Sequence, residues 1–209
     1  MKHAKRHPLI FGTIILTATG LITRVIGFFY RIYLSRLFGE EGMGIYQLLS
    51  PALSLSFSLT AAGYQTAISK YVAADSAKRP SGNLKPLLAG TSITLPLSLV
   101  TNAILFFSAD PIGIFLLKDH RTVPMLRILS FSVPFAALHA CINGYFYGKK
   151  KASVPALTQL LEQLARVSCV FLVTGADLAE GRTPSINAAV LGLTVGEIFS
   201  MLIALVCLY

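Results

Sequence analysis

The sequence predicts an all-α fold, a polytopic transmembrane helix bundle of six spans. Three observations predict it. Hydrophobic residues make up 54% of the chain and charged ones only 13%, against about 25% charged in a soluble domain. Several uncharged runs approach the roughly 20 residues that cross a bilayer. Turn-forming residues then separate those runs: Gly39, Gly42 and Gly44, Pro80-Ser81-Gly82, Asp110-Pro111, Gly148, and Gly181 to Pro184. The mean hydropathy is +0.68. An outer-membrane barrel would instead show alternating segments of about ten residues.

Taken in order, the spans fall at about 9–37, 45–74, 84–108, 123–147, 154–174 and 186–209. The first follows a basic leader, 1–8, and has no small-residue cleavage site, so it is expected to be a retained span and not a removed signal. It carries Arg24 and Arg31 and ends at Gly39-Glu40-Glu41-Gly42. The second is rich in Ser, Thr, Ala and Gly, including Ser50, Ser54, Ser56, Ser58, Thr60 and Gly63, as close helix packing requires. Pro51, Pro96 and Pro134 are expected bends. Asn102 and Gly63-Tyr64-Gln65 are polar points that could line a lumen, and His139 is expected to be a satisfied core histidine. Cys141, Cys169 and Cys207 lie in apolar runs and are expected to be small buried hydrophobes.

The charges test the topology. With the N-terminus cytoplasmic, the inside segments hold Lys2, Lys5, Arg6, Lys70, Lys78, Arg79, Lys85 and Lys149 to Lys151. The outside loops hold Arg36, Lys118, Arg121 and Arg182. That asymmetry runs in the direction of the positive-inside rule. The net charge of +9 is therefore expected to face membrane and cytoplasm, with no nucleic-acid partner.

Six charges remain inside spans: Arg24, Arg31, Arg127, Arg166, Glu162 and Glu197. A charge at mid-bilayer costs about 2.5–3.5 kcal/mol on insertion scales, so each is a candidate functional residue. At 1.5 Å per residue from Leu9, Arg24 lies about 22 Å along its helix and Arg31 about 33 Å. Seven residues apart, they share a face. Arg24 either pairs with Glu162 or Glu197 or faces a cavity. Arg31 either snorkels to the outer interface or contacts a ligand. In the fifth span Thr158, Glu162 and Arg166 recur every four residues beside Gln159 and Gln163. This polar stripe either makes helix–helix bonds or lines a wet cavity. Glu197 stands alone, to pair with an arginine or remain a protonatable carboxyl.

The chemistry that is missing narrows the class. There is no P-loop, no His/Cys/carboxylate cluster at metal spacing, and no nucleophile beside a histidine and an orienting group. No cofactor and no enzymatic activity are expected.

Three stretches resemble the multidrug/oligosaccharidyl-lipid/polysaccharide exporter superfamily. Within it the likeness is to polysaccharide-biosynthesis proteins similar to stage V sporulation protein B and to the lipid II flippases. The first stretch is Ile22-Thr23-Arg24-Val25-Ile26-Gly27-Phe28 with Ser35-Arg36-Leu37-Phe38-Gly39 and Gly42. The second is Thr60-Ala61-Ala62-Gly63 with Ala67 to Ala73. The third is Gly144-Tyr145-Phe146-Tyr147-Gly148 followed by Pro155, Gln159, Glu162-Gln163 and Arg166. Three positions depart from the pattern. Tyr30 stands where the lipid II flippases carry a second arginine, Asn143 where relatives carry an arginine, and Tyr64-Gln65 where they carry an aliphatic residue and proline.

The resemblance implies one lobe of a two-lobed transporter, its C-terminal lobe missing from a chain that ends inside an apolar helix. It implies a flippase or exporter of a polyprenyl-diphosphate-linked saccharide in the cell membrane. Arg24 and Arg31 are then expected to hold phosphates, and Glu162, Gln163 and Arg166 to line the cavity. Gly27 and Gly63 are expected to allow close packing. The alternatives are a lobe without transport activity of its own and a cation-coupled multidrug exporter of the same superfamily.

Overall fold

The computed structural model describes residues 8–78 and 84–208, with side chains described over 12–76 and 84–208. Lys2, Lys5, Arg6, Arg79 and the Pro80-Ser81-Gly82 breaker lie outside the described residues. Every regular element of the described chain is a helix, as its composition predicts. The elements are α1 (Pro8–Leu48), α2 (Ser50–Phe57), α3 (Gly63–Lys78), α4 (Lys85–Phe107), a short α5 (Ala109–Pro111), α6 (Thr122–Gly148), α7 (Ser153–Ala179) and α8 (Asn187–Val206). Two π-helical turns, Ser58–Ala62 and Ile112–Leu116, follow α2 and α5.

Gly39 breaks α1 into two legs. Its φ of 68° and ψ of −175° are non-helical and suit a residue without Cβ. The second leg folds back, so that Met43 and Tyr46 pack on Tyr30 and Leu34 of the first. Five helical stretches among the described residues are long and apolar enough to cross a membrane, and the first of them, Gly12–Ser76, contains this reversal. The bundle therefore passes back and forth six times. At 1.5 Å per residue α4 is about 35 Å long, enough for a hydrocarbon core of about 30 Å.

α6 is the central helix. It is buried along most of its length and packs on α3, α4 and α8. Two glycine pairs set the closest approaches. A Cβ at Gly144 would lie 2.5 Å from Gln65 O, and one at Gly148 2.6 Å from Ser69 O. On the other side, a Cβ at Gly192 would lie 2.9 Å from Arg166 O, and one at Gly196 3.1 Å from Glu162 O. Glycines four apart thus bring α6 against α3 and α8 against α7, backbone to backbone. The sequence reading placed close packing at Gly27 and Gly63. The structure corrects this, because Gly63 faces open space and Gly27 faces only the Gln163 amide at 3.5 Å.

α6 ends at Gly148 as the sequence predicts, yet Gly148 is not the residue that turns the chain. Lys150, at φ 58°, takes the left-handed position, and the Lys151 N–H bonds Phe146 O at 3.0 Å. α7 ends in the same way: Gly181 is left-handed (φ 72°) and the Arg182 N–H bonds Asp177 O at 2.8 Å. Pro51 sits in the first turn of α2, where no N–H is needed, whereas Pro96 and Pro134 lie inside helices.

Charged clamps tie the connections at one end. Arg121 pairs with Glu41 at 2.7 Å and with Asp119 at 3.0 Å. The Arg121 guanidinium bonded to the Asp119 carboxylate holds that carboxyl below its usual range. Arg127, one of the six intramembrane candidates, is a structural residue. It pairs with Asp110 at 2.6 Å and is half-exposed.

Candidate functional site

The first leg of α1 packs on α7. Tyr33 stacks on Phe171, and its hydroxyl bonds Thr174 Oγ1 at 2.7 Å. Where these helices diverge, an open cavity of about 410 Å³ forms. Arg24, Gly27, Phe28 and Arg31 line it from one face of α1, and Gln163 and Arg166 from α7. Tyr30 and Tyr46 close its inner wall. Four of the five residues singled out in the sequence (Arg24, Arg31, Gln163 and Arg166) thus meet in one cavity.

The fifth, Glu162, does not line that cavity. Its carboxylate pairs with Arg166 one turn on, and both side chains are mostly buried. Glu162 is therefore engaged by its own helix. Among the described residues Arg24 has no acidic partner within 4.0 Å, and neither has Arg31. The alternative in which Arg24 pairs with Glu162 or Glu197 is thereby set aside. Both arginines are exposed on the cavity side.

Two further donors converge there. The Tyr30 hydroxyl and Arg166 Nε are buried and lack a hydrogen-bond partner. A buried unmade hydrogen bond costs about 1–3 kcal/mol. Two guanidinium groups without acids, a third with one free N–H, and an orphan hydroxyl make a wall of donors suited to an anion. Tyr30, which stands in the place of an arginine, is not among the residues that the sequence singles out for the cavity, yet it lines it.

Behind this wall lies a second polar group. His139 of α6 sits 3.6 Å from Glu197 of α8. Its Nδ1 is 3.1 Å from Ser200 Oγ and its Nε2 2.9 Å from Asn143 Nδ2. Donor atoms of His139, Glu162 and Glu197 all lie within 4.8 Å of one another. The sequence reading found no such cluster and placed Glu197 alone. The correction has a simple cause: three helices supply the members, and no spacing along the chain reveals them. His139 is engaged by Ser200 and Asn143, and Glu162 by Arg166, so a metal ion there would have to displace those bonds.

The sequence model of polysaccharide biosynthesis proteins matches residues 9–209. The chain is 36% identical over 197 residues to stage V sporulation protein B of Bacillus subtilis (strain 168), covering 94% of this chain and 38% of that protein. It is 27% identical over 179 residues to the lipid II flippase MurJ of the same organism, covering 81% of this chain and 32% of that protein. It is 25% identical over 162 residues to the sporulation protein YkvU of that organism, covering 77% of this chain and 35% of that protein. The chain thus spans under two fifths of the length of these relatives. No solved structure matches it. A helical membrane bundle with a donor-lined cavity, matched along nearly its whole length by one sequence model, belongs to the polysaccharide biosynthesis protein family.

Proposed function

We propose that the chain forms one lobe of a flippase or exporter that moves a polyprenyl-diphosphate-linked saccharide across the cytoplasmic membrane by alternating access. The observation that carries this is the cavity in which Arg24, Arg31 and Arg166 meet the orphan Tyr30 hydroxyl. A diphosphate brings at least two negative charges and many acceptors, and guanidinium groups bind such oxygens in pairs. On this reading Arg24 and Arg31 take the phosphates, and Gln163 with Arg166 bonds the bridging region. Glu162 holds Arg166 in place. A second lobe closes the open side, and the midplane site is exposed alternately to each face. The chain acts as a transporter and not as an enzyme, with its N-terminus in the cytoplasm. The naming of one relative as a lipid II flippase supports the substrate class.

The open side of the cavity favours a second reading, a lobe that transports nothing without a partner. Both are tested by replacing Arg24 with alanine in the full-length context of a strain lacking this protein. The variant is expected to insert in the membrane and to lose complementation. Wild-type complementation would sink the assignment. Translocation of lipid-linked sugar measured against dye efflux in vesicles then separates a flippase from a cation-coupled multidrug exporter.

A further inference from the structure

The donor-lined cavity does not end at Arg31. A second, smaller recess of about 170 Å³ adjoins it, and Arg31 and Tyr46 line both. Tyr46 packs against two apolar core clusters and stands between the two spaces.

The recess is cut into packed apolar side chains. Leu49 of the second leg of α1, Leu129 of α6 and Val190 of α8 form its floor, and each is at most 1% exposed. All three belong to one core cluster. A close-packed core leaves few voids larger than a water molecule. A space of this size among its members is a feature that packing alone does not produce.

The mouth of the recess is polar. Gln47 and Ser50 line it and are exposed. Among the described residues neither side chain is hydrogen-bonded to another. An amide and a hydroxyl in a membrane-spanning stretch belong to a helix contact or a wet space, not to lipid. Ligand pockets have this make-up, mostly apolar walls with a few placed polar groups.

An apolar floor, a polar mouth and an adjoining cation suit one kind of group. A pyranose ring has C–H faces that lie on apolar and aromatic side chains. Its rim carries hydroxyls that both donate and accept, as an amide and a serine hydroxyl also do. In a diphosphate-linked saccharide the anomeric carbon is bonded to a phosphate oxygen, so ring and phosphate must bind side by side. Arg31 stands where both are reached. Among the described residues no acid lines the recess, and Arg31 repels an ammonium, so a neutral ring fits better than one with a free amine.

We propose that the recess at Tyr46, Gln47 and Ser50 binds the neutral sugar ring bonded directly to the diphosphate, with Gln47 and Ser50 taking its hydroxyls. Given the reading of the first cavity as the place of the diphosphate, on which this rests, Gln47 and Ser50 select the sugar while Arg24 and Arg166 hold its carrier.

Calorimetry on the purified chain in lipid nanodiscs, with empty nanodiscs as the blank, compares geranyl diphosphate with geranyl-diphospho-N-acetylglucosamine. The wild type is expected to bind the sugar-bearing probe about tenfold more tightly, as one or two neutral hydrogen bonds allow. In the Gln47→Leu/Ser50→Ala double variant the two affinities are expected to become equal, with that for geranyl diphosphate unchanged. Ser50→Leu, which fills the mouth, is expected to abolish the preference as well. Arg24→Ala is expected to weaken both probes alike. Equal affinities in the wild type overturn the sugar site and leave the diphosphate reading standing, so long as geranyl diphosphate binds and Arg24→Ala weakens it. A sugar preference that survives both mouth variants also overturns the sugar site. Unweakened binding of geranyl diphosphate by Arg24→Ala, or no binding of either probe by the wild type, sinks the diphosphate reading and the sugar site with it. The two-probe comparison on the wild type stands even if a variant fails to fold.

Discussion

Tyr30 is 7% exposed, and its hydroxyl has no partner. It sits beside Arg166, whose buried Nε is also unbonded. Removing a buried hydroxyl that bonds nothing relieves a penalty of about 1–3 kcal/mol, while a bond to a charged ligand is worth about 1.5–3 kcal/mol. Tyr30→Phe is therefore expected to raise or preserve the melting temperature and to weaken binding of inorganic diphosphate by roughly ten- to a hundredfold. Calorimetric binding with a parallel thermal melt measures both, and a lower melting temperature with unchanged binding would remove Tyr30 from the site. At this scale the site was partly legible. Arg24, Arg31, Gln163 and Arg166 stood out because a charged or amide side chain in an apolar run is conspicuous. Tyr30 did not, since a tyrosine in a span is ordinary until its hydroxyl is seen to be orphaned. The closeness of His139 to Glu197 depends on how α6 lies against α8, and those residues are 58 positions apart.

Between elements, the decisive contacts are made by residues with almost no side chain. Gly192 brings α8 so close to α7 that an added methyl would meet the Val170 side chain and the Arg166 carbonyl. Carbonyl oxygen cannot move aside without shifting α7, so overpacking here costs about 1–3 kcal/mol. Gly175 is also helical, yet nothing lies within 4 Å of its missing Cβ. There alanine restricts the unfolded chain and gains about 0.4–1 kcal/mol. Thermal melts of the two alanine variants in the same detergent are expected to move in opposite directions, down for Gly192→Ala and up for Gly175→Ala. Equal shifts would mean that the α7–α8 contact is looser than the structure has it. Helices and their separators were legible, since apolar runs and breakers are local signals. Which glycine packs and which turns was not. Gly63 sits in a small-residue run but faces outward, while Gly148 both ends α6 and makes a contact, with Lys150 taking the left-handed turn. The π-helical turns at Ser58–Ala62 and Ile112–Leu116 leave no compositional mark, because they shift hydrogen bonds and not residue types.

For the molecule as a whole, the unequal ends of the bundle bear on its orientation in the membrane. At one end α3 and α6 finish side by side, with Ser69 against Gly148, and Gly12 of α1 approaches Ala152 beyond them. Lys70 and Lys149 to Lys151 belong to this end, and Lys149 lies 4.7 Å from the centre of the Tyr145 ring. At the other end two of the four loop cations are matched by acids. Arg121 is held by Glu41 and Asp119, and Arg182 by Asp177 and Glu180. Neutralised arginines are easier to carry across than a run of free lysines, and the excess of Lys and Arg normally stays in the cytoplasm. The lysine-rich end, and with it the N-terminus, is therefore expected inside the cell. Single cysteines introduced as Lys151→Cys and Arg182→Cys, both at exposed positions, test this with a membrane-impermeant maleimide on intact cells. The wild type gives the baseline, since Cys141 is buried and Cys169 and Cys207 are partly so. The Arg182→Cys variant is expected to label in intact cells and Lys151→Cys only after permeabilisation. The reverse pattern would turn the molecule over and place the matched arginines, against the charge rule, on the cytoplasmic side.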